Sequence, residues 1–79
     1  MSVEIEREIL EALNVDPVGL PISGRQLADK LGRSASDVCA AARELERKMR
    51  TGRYIFTIAD VSSQGVKTDF LLQLIDNQE

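Results

Sequence analysis

The chain contains no histidine, a single cysteine (Cys39) and no long apolar run in its 79 residues. The missing histidine excludes zinc sites built from Cys and His. It also removes the commonest general base and every Ser-His or Cys-His nucleophile pairing. One cysteine excludes an internal disulfide framework. No apolar stretch approaches the roughly 18 residues of a membrane span. The opening "MSVEIEREIL" is acidic and periodic, whereas a signal peptide is basic and then apolar. These absences lead to the expectation of a cytoplasmic chain that is not an enzyme and uses no metal, cofactor or membrane. No internal repeat or low-complexity segment is visible.

What is present fits one small globular domain spanning residues 1–79, with 43% hydrophobic and 29% charged residues. A chain of this size buries only about 60–65% of its unfolded surface, so the core is thin. Over residues 3–14, Ile5, Ile9, Ala12 and Leu13 recur at helical spacing, and Glu4, Glu6, Arg7, Glu8 and Glu11 fill the opposite face. Asn14 and Asp16–Pro17 stop that helix, because a proline disfavours helical backbone in the residue before it. "VGLPIS" suits a short edge strand. Ser23 with Gln26 forms a capping box for a helix over 24–31, in which Leu27, Ala28 and Leu31 face inward. Gly32 ends it, and Ser34 with Asp37 caps a third helix over 35–50, with Val38, Ala41, Ala42, Leu45 and Met49 as its stripe.

After "TG" at 51–52 the apolar period shortens to two, predicting strands over 53–60 and 67–75 joined by the "SSQG" loop. The core should comprise Ile9, Leu13, Leu27, Leu31, Val38, Leu45, Phe56 and Leu72. Both strands are apolar on two faces, so one face covers the helices and the other is available to a partner.

The α+β order of helix, short strand, helix, turn, helix and β-hairpin resembles the winged helix-turn-helix fold, three helices followed by a hairpin wing. Leu27 and Ala28 match the first helix of the motif, Gly32 its turn, and Val38 and Ala41 the start of its second helix. Ala28 allows the helices to cross closely, and Val38 packs across the angle between them. Ala41 departs from the larger aliphatic residue more common at that site. The resemblance is to the small stand-alone regulators of bacteria, phages and plasmids. It implies a sequence-specific DNA-binding transcription regulator with the helix near 35–50 in the major groove. The wing, "VSSQGVKTD", has no cysteine cluster of the kind that some iron-linked members carry.

The net charge is −3, but its thirds differ: residues 1–23 carry −4, residues 24–53 carry +4, and residues 54–79 carry −3. Positive charge therefore gathers on the helix-turn-helix segment and its exit, the distribution of a DNA-facing side in an acidic protein. On the third helix, Arg43 is placed for a base edge, matching guanine O6 and N7, and Ser36 for a base or a phosphate. Arg25, Arg33, Arg47 and Lys67 complete the candidate set; Arg25 and Arg33 are placed for phosphates, and Lys67 for a flanking phosphate or the minor groove. The plain alternative makes Arg43, Glu44, Glu46, Arg47 and Lys48 a solvated face with weak pairs such as Glu44–Lys48. On that reading Ser23 and Ser34 are caps only, and Cys39 is a partly buried small residue. A single module covers little DNA, so a homodimer through the first helix or around Leu71 and Ile75 is expected. The rival function is a winged-helix module with a protein partner, such as a phage- or plasmid-type modulator of a host factor.

Overall fold

In the computed structural model, which describes residues 2–14 and 19–77, the helical period of the first fifty residues becomes three helices. They are α1 (Ser2–Leu13), α2 (Gly24–Leu31) and α3 (Ala35–Lys48). The strands are β1 (Ile22–Ser23), β2 (Tyr54–Ser63) and β3 (Val66–Asp76), in one antiparallel sheet with β3 at its centre. The architecture is therefore α+β, with three helices and a three-stranded antiparallel sheet. No helix among the described residues is long and apolar enough to cross a membrane.

Both serine caps form as the sequence predicts. Ser23 Oγ accepts from the Gln26 N–H at 3.2 Å, and Ser34 Oγ accepts from the Asp37 N–H at 3.1 Å. Gly32 adopts left-handed backbone (φ 69°), which lets the Arg33 N–H reach Ala28 O and its own N–H reach Asp29 O. These bonds satisfy carbonyls that the end of α2 would otherwise leave open. The stop expected at Asp16–Pro17 lies outside the described residues. The edge strand is shorter than "VGLPIS", with only Ile22 and Ser23 pairing, to Leu72 and Leu71.

The hairpin is longer than the sequence predicts. Gln64 and Gly65 both have positive φ (53° and 79°), the signature of a two-residue turn whose twist matches the strands, so Ser62 and Ser63 join the ladder. The free edge of β2 is covered at two points. Met49 O accepts from the Phe56 N–H at 3.1 Å, and Glu46 Oε2 accepts from the Ile58 N–H at 3.3 Å. Such cover blunts an edge that would otherwise pair with another chain.

The core joins Ile5, Ile9 and Leu13 to Leu27, Ala28, Val38, Ala41, Ala42 and Leu45, and closes on Phe56, Phe70, Leu72 and Leu74. Leu31 is only partly buried, a correction to the expected core set. Ile9, Val38, Phe56 and Leu72 are fully buried, each worth about 1.5–3 kcal/mol relative to exposure.

Glu6 is not on the solvent face, as its neighbours in sequence imply. It is 7% exposed, and its Oε1 accepts from Lys48 Nζ at 3.0 Å, while its Oε2 is buried and has no partner among the described residues. The Glu44–Lys48 pair expected along α3 gives way: Lys48 reaches to α1, and Glu44 is taken by Arg47. Removing one partner of a buried polar contact leaves the other unsatisfied, whereas replacing both by apolar groups is close to neutral. Lys48→Met is therefore expected to destabilise the fold by about 1–3 kcal/mol, discounted because Lys48 is half exposed. Glu6→Met combined with Lys48→Met should recover most of that loss in a urea melt. A double variant weaker than Lys48→Met alone would contradict this account.

Candidate nucleic-acid interface

The site is built around one carboxylate, that of Asp69. Its Oδ2 accepts from Ser23 Oγ, and its Oδ1 accepts from the backbone N–H of Arg25 at 3.2 Å and of Phe70 at 2.7 Å. A negative group that bonds the first N–H groups of a helix also meets the positive end of its dipole. Ser23 thus does more than cap α2, because it joins the helix start to β3. Burial pushes the Asp69 carboxyl up, but the bonds from Ser23, Phe70 and Arg25 outweigh it and hold the group below the usual range.

Gly24 makes the junction close. A Cβ there would fall 2.0 Å from the Phe70 ring, so any side chain would push the ring away. Sequence reasoning missed Gly24, Asp69 and Asp60 as site residues. Gly24 and Asp69 act through tertiary neighbours some 44–46 residues away, and no local pattern signals such a contact.

Above the junction an open cleft of about 460 Å³ lies between α3 and the hairpin, lined by Arg25, Ser36, Arg43 and Lys67 together with Cys39 and Phe70. Four of the six expected DNA contacts therefore share one surface. Ser36, Ala40 and Arg43 are exposed along α3, and Cys39 is partly buried. Among the described residues, none of α1 lines the cleft.

Lys67 reaches the cleft through a β-bulge. The pairing shifts between Val61↔Asp69 and Ser62↔Lys67, leaving Thr68 as the extra residue. Strict alternation from Phe70 would put Lys67 on the outer face, but one inserted residue reverses the side. Lys67 Nζ instead stands 5.9 Å from the centre of the Phe70 ring and 3.2 Å from Asp60 Oδ1. The same oxygen accepts from Arg43 Nη2 at 3.2 Å. Hydrogen bonding and charge from Lys67, then the charge of Arg43, outweigh desolvation and hold the Asp60 carboxyl below its usual range.

The other two expected contacts lie elsewhere. Arg33 donates through Nε and Nη2 to Glu8 Oε1 and Oε2 at 2.7 and 3.0 Å, with Glu4 at 3.9 Å. These contacts tie the acidic helix to the turn. Arg47 forms a forked pair with Glu44 at 2.7 and 3.1 Å and lines a separate groove with Arg50 and Ile55.

Comparison with protein-family models, curated proteins and solved structures finds no match for this chain.

Asp69 sets an acid-side dependence of stability. A carboxyl with a lowered folded pKa stabilises fully above its unfolded value, about 3.9, and that contribution is lost as pH falls through the folded value. Thermal melts are expected to show Asp69→Asn lowering Tm at pH 7, with a gap that narrows below about pH 4. A gap independent of pH between 7 and 2 would contradict the ionic role of Asp69.

Proposed function

We propose that this chain is a winged helix-turn-helix module that binds double-stranded DNA. In this reading α3 enters the major groove and the β2–β3 hairpin serves as the wing. The single observation that carries it is the shared cleft. Arg25, Ser36, Arg43 and Lys67 come from α2, α3 and β3, yet line one open surface that none of the described residues of α1 enters. Exposed small residues at the start of α3 let its backbone approach base edges. Arg43 then serves as the base reader, with Arg25 and Lys67 as phosphate contacts. A transcription-regulating role follows as the natural use of such a module.

The two arginines outside the cleft change the expected salt response. With Arg33 tied to Glu8 of α1 and Arg47 lying outside the cleft, the two to three cations that line it, Arg25 and Lys67 with Arg43, are available to the duplex. Log affinity should therefore fall with log salt at a slope of about −1.8 to −2.7 per monomer. Arg25→Ala is expected to weaken binding to all sequences alike and to flatten that slope by about 0.9. Arg43→Ala should cost about 1–3 kcal/mol on a preferred site and relax the base choice there. Arg33→Ala should lower Tm and leave the slope unchanged. Fluorescence anisotropy with labelled duplexes across a salt series checks the binding of all three variants, a thermal melt checks the Tm of Arg33→Ala, and no binding at low salt would end the DNA reading.

A second reading is a module with a protein partner or a second copy of itself. It is favoured by the outer sheet face, where Ile55 pairs with Ile75, and Leu71 and Ile75 are 36% and 39% exposed.

A further inference from the structure

We propose that Asp60 is a built-in competitor for the phosphate backbone, a carboxylate that holds Arg43 of α3 and Lys67 of the wing and thereby restrains binding to any duplex. The inference rests on the DNA reading for its target, but the anion subsite formed by Arg43 and Lys67 can be tested without DNA.

The geometry is that of an occupied anion site. One oxygen of Asp60 lies 3.2 Å from Arg43 Nη2 and 3.2 Å from Lys67 Nζ. These cations stand on opposite walls of the cleft, and all three side chains are about half exposed. A free phosphate in the same position would take both donors; on a duplex a backbone phosphate takes Lys67, and Arg43, released from Asp60, turns to a base edge. Exposed ion pairs are individually weak, so a polyanion can displace the carboxylate. It must do so, however, beside a negative charge that cannot leave, because Asp60 is fixed in β2 opposite Phe70.

Asp60 differs from Asp69 in what it holds. Asp69 accepts from two backbone N–H groups and a serine hydroxyl. Among the described residues, the partners of the Asp60 carboxylate are these two cations, so it anchors no backbone. Its removal should leave the fold intact while raising the local charge of the Arg43–Asp60–Lys67 group by one. One additional effective charge steepens the salt slope by about 0.9, equivalent to roughly eightfold tighter binding at 0.1 M salt. The gain concerns backbone attraction and is common to all sequences. In an acidic chain, the native carboxylate therefore limits indiscriminate binding.

The test compares wild type with Asp60→Asn and Asp60→Ser, after thermal melts establish that each variant is folded. Mixed-sequence duplex is titrated across a salt series, and pyrophosphate is titrated separately while the Arg43 Nε–H and Lys67 amide signals are followed by NMR. The expected result is roughly eightfold tighter duplex binding at 0.1 M salt in both variants, a slope steeper by about 0.9, and pyrophosphate shifts larger than in wild type. Equal affinity and slope, with wild type binding duplex, would overturn the competitor and leave the DNA reading standing. If no form binds duplex but the variants bind pyrophosphate at Arg43 and Lys67 more tightly than wild type, the competitor stands and DNA is not its target. If no form binds either probe, both fail.

Discussion

The junction between Asp69 and the start of α2 is the contact on which the arrangement of the cleft depends. It is a long-range tie in which a strand carboxylate bonds Ser23 and the Arg25 N–H while Phe70, the next residue, packs beneath Gly24. The bonds fix the direction in which α2 leaves β1, and the missing side chain fixes how near it comes to β3. Arg25 is thereby placed on the same cleft as Lys67, which lies two residues before Asp69 on the strand. The bulge at Thr68 then turns Lys67 toward α3. Loss of either device would leave the same cations on the surface without a common face.

Charge is arranged by the same logic. The acidic N-terminal helix does not merely face solvent; Glu8 and Glu4 hold Arg33, and Glu6 holds Lys48. These pairs dock α1 to the turn and to the end of α3, away from the cleft. The cations they engage are withdrawn from any ligand, so a count of Lys and Arg over residues 24–53 overstates the charge available for binding. At the cleft itself the balance is finer still, because Asp60 stands between two of the remaining cations.

Much of the fold is legible in the sequence because local chemistry determines it. Ser23, Ser34 and Gly32 set helix ends through contacts within six residues, and the change from helical to alternating period after Gly52 marks the hairpin. Of the candidate site, Arg25, Ser36, Arg43 and Lys67 are legible as exposed polar positions on those elements. The rest depends on tertiary geometry. Glu6 follows Ile5 and precedes Arg7, and nothing nearby reveals that α3 passes over it. Arg33 and Arg47 read as free cations until their carboxylate partners are placed. The bulge reverses the side on which Lys67 lies, an effect that alternation cannot anticipate. Gly24 looks like an ordinary helix-start residue until Phe70 is brought beneath it.

On the proposed reading, one face, assembled by the Asp69 junction and the Thr68 bulge, meets DNA. Amide NMR of the labelled protein titrated with a mixed-sequence duplex at low salt tests it most directly. Shifts are expected to concentrate at Arg25, along Ser36–Arg43 and at Lys67–Asp69, with Ile5–Leu13 of α1 and Leu71 and Ile75 of the outer sheet face unmoved. Shifts centred on the outer sheet face or on α1, with the cleft silent, would contradict it.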